Sequence, residues 1–304
     1  MNGSKNRNEY IDCLKGFLII IVVFRHIFQV VANNTNTDYL SNLCTIVEMP
    51  MFFAISGYFA IPNLFEEQQK SFYRKKIYKI TTGYLLPFLS FFIIFRILFV
   101  TNINIIKNNI YELQYITISL WYLWAIFILN ICFLLGLRIS GLSINAGKYK
   151  KVISFIASLV LCFGAIIVLG KKKGVDFLAI KLILYYSSFY MLGYILKVFQ
   201  NKILEFYKKY FQIINFTAIT SLFLGANKYK VMEMEDTIFN IIIRCFLSFA
   251  GCIFFLYLVK NLYEKYKCGY ITKIGKYTLE IYYVHSAILR CVKFKPVQEL
   301  MTYE

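Results

Sequence analysis

The sequence predicts an all-α fold, a polytopic membrane helical bundle of about nine spans. Of its 304 residues, 59% are hydrophobic and only 16% are charged, whereas a soluble domain carries roughly 25% charged residues. The apolar residues fall in runs of about twenty, the length that an α-helix needs to cross the roughly 30 Å hydrocarbon core of a bilayer. Aromatic residues reach 19%, which suits interface belts and packed spans. These features exclude an ordinary soluble enzyme, a secreted disulfide scaffold and a disordered chain.

Nine apolar runs define the expected spans. The second run contains Pro50 and Gly57, so we expect a broken or re-entrant helix there. The seventh run is short. In chain order the runs cover residues 14–32, 43–61, 80–100, 117–137, 152–170, 177–197, 211–226, 237–259 and 276–292.

Basic residues are unevenly distributed among the segments that join these runs. The leader and every second loop hold 21 of the 34 Lys and Arg residues, and the opposite loops with the tail hold nine. An excess of this kind marks the cytoplasmic side. We therefore expect a multi-pass protein of the cell membrane, in a bacterial inner membrane, with its N-terminus in the cytoplasm. The net charge of +18 is explained by orientation and contact with membrane lipid, and we expect no nucleic-acid partner.

The chain shows no internal repeat and no second soluble domain, so we expect residues 1–304 to form one membrane domain. Its eight cysteines include no Cys-x-x-Cys pair, and most lie inside apolar runs. A buried Cys of this kind packs as a small apolar side chain. We expect no disulfide and no metal site.

Both histidines of the chain, His26 and His285, lie inside expected spans. An ionisable side chain there is costly and is a functional candidate by default, and imidazole accepts a proton near neutral pH. His26 lies roughly 18 Å deep in the first span, and Lys15 precedes it by nearly three helical turns on the same face. Two structural alternatives stay open: a hydrogen bond from His26 to a neighbouring helix, and a snorkelling role for Lys15.

A basic cluster follows the second span and is formed by Arg74, Lys75, Lys76 and Lys79. Such a cluster can hold phosphate groups by charge and hydrogen bonding. The alternative is that it orients the spans and contacts anionic lipid.

Five segments resemble, in order, the acyltransferase-3 family of integral membrane acyltransferases. The Lys-Gly pair at Lys15 and the chain length are most similar to the sugar O-acetylase branch related to fucose 4-O-acetylases. The five segments are Tyr10–Gly16 with His26, Met49–Tyr58, Lys76 and Lys79 before Pro87, Leu120–Leu123, and Tyr277–His285.

This resemblance implies transfer of an acetyl or similar short acyl group from cytoplasmic acyl-CoA to a hydroxyl of a glycan. The glycan would be a cell-surface or exopolysaccharide chain or its lipid-linked precursor. Acetyl-CoA would be the donor, with no permanently bound cofactor.

The resemblance carries the family's essential histidine onto His26 and its basic partner onto Lys15. It carries the basic pair that meets the donor onto Lys76 and Lys79, with Arg74 and Lys75 adjacent. Acyl transfer to an alcohol needs a base for the hydroxyl proton, and we expect His26 to be that base and His285 to be a positioning group. Glu48 stands where many relatives have a histidine, and we expect it to line the substrate cavity with Ser56, Tyr58, Trp121 and Tyr282.

Two other functions fit the same sequence. The first is a proton-coupled transporter, in which the buried histidines relay protons. The second is an inactive scaffold in a polysaccharide assembly complex. Nineteen residues follow His285, so we expect the domain to lack the tenth span that is usual in the family, which favours the scaffold.

Overall fold

The computed structural model describes residues 8–31, 38–60, 70–99, 120–141, 179–230 and 237–292, with isolated positions between 153 and 160. Every regular element in this part of the chain is helical, which confirms the all-α class of a membrane protein. The elements are α1 (Glu9–Val31), α2 (Tyr39–Tyr58), α3 (Lys70–Ile80), a π-helical turn (Thr81–Leu85), α4 (Leu86–Phe99), α5 (Trp121–Gly141), α6 (Ile180–Val198), α7 (Gln200–Lys209), α8 (Phe211–Lys228), α9 (Ile238–Tyr266), α10 (Gly269–Lys276) and α11 (Thr278–Val292).

Eight of the nine expected spans coincide with helices, and the fifth, 152–170, lies outside the described residues apart from a few positions. Three more helices, α3, α7 and α10, occupy segments that were expected to be loops. Their polar residues interrupt the apolar runs, although the backbone of each segment is helical. Hydropathy runs therefore identify the apolar helices and miss the short polar ones.

Two described helices are long and apolar enough to cross a bilayer by length and composition. They are α2 and the Phe239–Tyr266 part of α9. The neighbouring helices α6 and α7 pass the same test only when they are counted together as one span with a break at Phe199. The count of nine spans stays a prediction.

Helix α2 runs without interruption from Tyr39 to Tyr58 and contains Pro50, so the expectation of a broken or re-entrant helix is wrong. Pro50 removes one backbone hydrogen bond, and residues on both sides of it are buried, so packing holds the helix together. Gly57 does not break the helix and instead permits close packing of two helices. A Cβ atom at Gly57 would lie 1.8 Å from the carbonyl oxygen of Tyr190, so glycine lets α2 and α6 touch backbone to backbone.

The chain divides into two compact units. Unit 1 comprises residues 1–52 and 199–304, and unit 2 comprises residues 53–198. In unit 1, α1 packs against α9, α10 and α11. A Cβ atom at Gly275 of α10 would lie 1.6 Å from the carbonyl oxygen of Asp12, so these two helices also meet backbone to backbone. In unit 2, α5 packs against α3, the π-helical turn and α6.

The π-helical turn joins the basic helix α3 to the apolar helix α4. Pro87 stands at the start of α4 and has no N–H with which to continue an α-helical ladder from the preceding turn. A wider π turn takes up the misfit, and such turns often lie near functional sites. The π-helical turn thus lies between the basic residues of α3 and the apolar residues of α4.

Candidate functional site

The two histidines lie side by side in unit 1. The imidazole rings of His26 on α1 and His285 on α11 stack with centroids 5.5 Å apart and planes at 29°. The ring of Tyr282 meets His285 edge to face at 5.3 Å. Three of the predicted site residues therefore form one local group, although His26 and His285 are 259 positions apart in the sequence.

A backbone hydrogen bond fixes the orientation of the buried His285 ring. Its Nδ1 lies 3.0 Å from the carbonyl oxygen of Ile281. A carbonyl oxygen only accepts, so Nδ1 carries the hydrogen, and Nε2 of the neutral ring is left as an acceptor. The hydroxyl of Ser286 donates to the carbonyl oxygen of Tyr282 at 2.8 Å, which holds the same turn of α11. His285 is thus oriented by its own helix.

Lys15 shares a face of α1 with His26 but does not reach it. Their separation of eleven positions corresponds to about 16 Å along the helix axis, far more than a lysine side chain spans. The buried Leu18 and Val22 lie between them. The structure therefore does not bring these two predicted site residues into direct contact.

Arg25, the residue before His26, forms a buried salt bridge with Glu48 of α2. Arg25 Nε lies 2.5 Å from Glu48 Oε1, and the two side chains are 10% and 0% exposed. Glu48 was expected to line the substrate cavity, and the structure places its carboxylate against the Arg25 guanidinium. Arg25 was not predicted as a site residue. The one feature of the sequence that could have indicated the pair is that Arg25 and Glu48 are opposite charges within two neighbouring apolar runs.

The cations of the basic cluster lie on α3 in unit 2. Lys75, Lys76 and Lys79 fall within an arc of about 100° on the helix, with Arg74 about 100° beyond Lys75. Lys76 is half-buried and the other three are exposed. Partial burial and the charges of Lys79 and Lys197 lower the pKa of Lys76 to about 8. The cluster is therefore crowded with positive charge from two helices.

Lys197, at the end of α6, is a cation that the sequence analysis counted only as a topology signal. Its Nζ lies over the ring of Tyr58 at 5.6 Å from the centroid. Tyr58, which was expected to line the substrate cavity, thus contacts the ammonium group of Lys197. Nothing in the sequence around Lys197 distinguishes it from an ordinary lysine at the end of a span.

Ser56 and Trp121 belong to a further group in unit 2. The hydroxyl oxygens of Ser56 and Tyr122 lie 3.2 Å apart, within hydrogen-bond distance. The ring of Phe53 packs against Tyr122 at 5.2 Å and against Trp121 at 5.8 Å. The ring of Tyr186 on α6 completes this aromatic group. Its centroid lies 4.8 Å from that of Phe53 and 5.1 Å from that of Trp121.

The residues expected to line one substrate cavity thus enter four local groups. Tyr282 joins the histidines, Glu48 joins Arg25, Tyr58 joins Lys197, and Ser56 and Trp121 join Phe53 and Tyr122. In the part of the chain that the structure describes, no three His, Cys, Asp or Glu side chains are placed to hold a metal ion. The six cysteines described there are free thiols.

Comparison with known proteins adds two findings. Residues 8–294 match the family model described as an acyltransferase domain, acyltransferase-3. A 62-residue stretch is 44% identical to nodulation protein NolL of Sinorhizobium fredii (strain NBRC 101917 / NGR234), which covers 19% of this chain and 17% of NolL. The match thus spans less than a fifth of that relative. No solved structure matches the chain.

Proposed function

The chain belongs to the acyltransferase-3 family, and on that premise we propose that it is a multi-pass membrane O-acyltransferase. The donor is acetyl-CoA or a similar short acyl-CoA from the cytoplasm. The acceptor is a hydroxyl of a cell-surface or exopolysaccharide glycan or of its lipid-linked precursor. The fucose 4-O-acetylase-like branch, and with it the glycan acceptor, rests on the resemblance of the Lys15-Gly16 pair and of the chain length to that branch.

The observation that carries the proposal is the stacked pair of His26 and His285. An ionisable side chain is costly inside a membrane helix bundle, and here two imidazole rings lie with their centroids 5.5 Å apart. The contact brings two possible proton acceptors to one place. Acyl transfer to an alcohol needs such an acceptor for the hydroxyl proton.

In the reaction, His26 takes the proton from the acceptor hydroxyl as its oxygen attacks the carbonyl carbon of the thioester. A C–O bond forms, the C–S bond breaks, and the proton passes to the departing sulfur of CoA. His285 is a positioning group, because its Nδ1 is committed to the Ile281 carbonyl. Lys15 on the same face of α1 would meet the acyl donor, since it lies too far from His26 for direct contact.

Donor recognition is assigned to α3. Arg74, Lys75, Lys76 and Lys79 are the cations proposed to meet the phosphates of acyl-CoA, because ammonium and guanidinium groups form short charge-assisted hydrogen bonds to phosphate oxygens. The charge bias among the loops would put this helix on the cytoplasmic side. That is the side where a soluble acyl-CoA is available.

The direct test follows label from [acetyl-¹⁴C]acetyl-CoA into glycan in membranes that contain the protein. We expect radioactivity in the polysaccharide or lipid-linked sugar fraction and its release by mild alkali, which hydrolyses O-esters. Membranes without the protein are the control. Proton uptake that does not depend on acyl-CoA, without transfer of label to glycan, would support the transporter. The absence of both proton uptake and acyl transfer would support the scaffold.

A further inference from the structure

We propose that Lys197 of α6 is an additional phosphate-binding cation of the donor site, acting with Lys76 and Lys79 of α3 and held in position by the ring of Tyr58. This inference rests on the proposed function, because it adds a residue to the acyl-CoA site. It assigns a binding role to a lysine that no motif marks.

The first support is the way in which α2 and α6 meet. A Cβ atom at Gly193 would lie 1.8 Å from the carbonyl oxygen of Ala54, so the two backbones touch there. One helical turn beyond this contact, at four residues in each helix, stand Lys197 and Tyr58. The close approach of the two glycine-bearing backbones therefore brings the ends of α2 and α6 together at these side chains.

The second support is the contact between the two side chains. Lys197 Nζ lies 5.6 Å from the centroid of the Tyr58 ring, within the range of a cation–π interaction. Such a contact restricts a long, flexible side chain to one direction. A lysine that is already ordered loses less conformational freedom when it binds an anion.

The third support is the density of positive charge. Lys79 and Lys197 are both close enough to Lys76 to lower its pKa by charge repulsion, in addition to its partial burial. Repulsion among three ammonium groups is relieved when an anion lies between them. The nucleotide end of CoA carries a diphosphate and a 3′-monophosphate, which is the kind of anion that several converging cations bind.

The experiment measures the dissociation constant of acetyl-CoA for the purified full-length protein in nanodiscs of zwitterionic lipid. Lys197→Gln is expected to weaken binding about tenfold, which corresponds to about 1.4 kcal/mol, because it removes one charge-assisted contact to phosphate. Lys197→Arg, which keeps the charge, is expected to recover most of the affinity. The matched control is Lys181→Gln, because Lys181 is an exposed lysine at the opposite end of the same helix.

Two further variants test the role of the Tyr58 ring. Tyr58→Phe keeps the aromatic face and is expected to leave the affinity for acetyl-CoA nearly unchanged. Tyr58→Leu removes the cation–π contact and is expected to weaken binding in the same direction as Lys197→Gln, by a smaller factor. Equal affinities for the Phe and Leu variants would overturn the positioning role of the ring.

Anionic lipid is the other source of phosphate, and the same assay separates it from the donor. In nanodiscs with phosphatidylglycerol, a lipid-binding Lys197 would change the retention of that lipid and not the affinity for acetyl-CoA, which would overturn the proposal. Wild-type protein that binds no acetyl-CoA would refute the proposed function itself. Wild-type binding with equal constants for Lys197→Gln and Lys181→Gln would refute only the role of Lys197.

Discussion

Arg25 and Glu48 form a buried pair of opposite charges. Both are buried, and Glu48 is fully excluded from solvent. Removing one partner of such a pair leaves an uncompensated buried charge, which typically costs about 3–5 kcal/mol. An exposed pair costs less than about 1 kcal/mol.

We therefore expect Glu48→Gln to lower the free energy of unfolding by about 3–5 kcal/mol in detergent. The control is Glu264→Gln, because the Lys260–Glu264 pair spans 3.8 Å and is about 60% exposed. Denaturant titration of the two variants measures the difference. Joint replacement of both buried partners, Arg25→Met with Glu48→Leu, should recover much of the loss, and equal stability of Glu48→Gln and Glu264→Gln would contradict the account.

Lys76 is expected to make the proposed binding of acetyl-CoA depend on pH. Its pKa is lowered to about 8 by partial burial and by the charges of Lys79 and Lys197. Below that pH the ammonium is present in the free protein, and above it the side chain becomes neutral. The phosphates of CoA stay ionised over this range, since their second pKa is about 6. Affinity for acetyl-CoA is therefore expected to fall as pH rises through 8.

Dissociation constants measured from pH 7 to pH 9.5 check this expectation. Bound phosphate favours the charged amine, so binding at pH 8 should also take up protons, which calorimetry in buffers of different ionisation enthalpy detects. Lys76→Arg is the matched control, because arginine stays charged throughout. A wild-type profile as flat as that of Lys76→Arg would exclude Lys76 from the donor site.

At this scale the sequence indicates single residues better than their partners. His26 and His285 were singled out because an ionisable group inside an apolar run is costly, and the structure places them in contact. Lys197 and Arg25 were missed because a lysine at the end of a span and an arginine beside a histidine have common structural explanations. The residues that Lys197 and Arg25 contact are distant in sequence, so no local spacing predicts these contacts.

Helix–helix contact in unit 2 depends on glycines. A Cβ atom at Gly57 or at Gly193 would lie 1.8 Å from a backbone carbonyl oxygen of the partner helix. A backbone group cannot rotate away as a side-chain end can, so α2 and α6 would have to separate. Overpacking of this kind typically costs about 1–3 kcal/mol.

Gly193→Ala is accordingly expected to lower the thermal midpoint and to weaken acetyl-CoA binding, because it displaces the turn that carries Lys197. Gly83→Ala is the matched control. A Cβ atom at Gly83 meets nothing within 4 Å, although this glycine also lies in a helical turn of unit 2. Identical thermal midpoints for the two variants would show that the close approach of α2 and α6 is not required.

Elements were predictable where a continuous apolar run sets the helix. The runs 211–226 and 276–292 correspond to α8 and α11 within a few residues. Helix α3 was not expected, since four cations in six residues interrupt the hydropathy pattern. The break expected at Pro50 is absent because buried packing on both sides of the proline outweighs the loss of one backbone hydrogen bond.

At the scale of the whole molecule, composition and the order of five short segments identify the family, which the match over residues 8–294 bears out. The orientation in the membrane is a prediction of the charge bias. If it holds, a cysteine at position 75, an exposed site on α3, reacts with an impermeant thiol reagent only from the cytoplasmic side. The labelling uses a background in which the native cysteines are replaced, and modification from the outer side in intact cells would reverse the topology.

The membership of the two units could not be predicted from the sequence. Unit 1, which holds the histidine pair, combines residues 1–52 with residues 199–304, whereas unit 2, which holds the basic cluster, is the continuous stretch 53–198. Helix α1 and helix α11 stand at opposite ends of the chain, yet both lie in unit 1. Hydropathy gives the number and order of spans but contains no information on which spans are neighbours.

The central claim is that His26 is the general base of an acyl transfer, and the rate of acetyl transfer in membranes tests it most directly. His26→Ala is expected to lower the rate by about 10²–10⁴-fold at normal protein level and unchanged acetyl-CoA affinity. His285→Ala is expected to lower it less, because His285 positions its neighbour. A near-normal rate in His26→Ala together with loss of transfer in His285→Ala would contradict the assignment of the base.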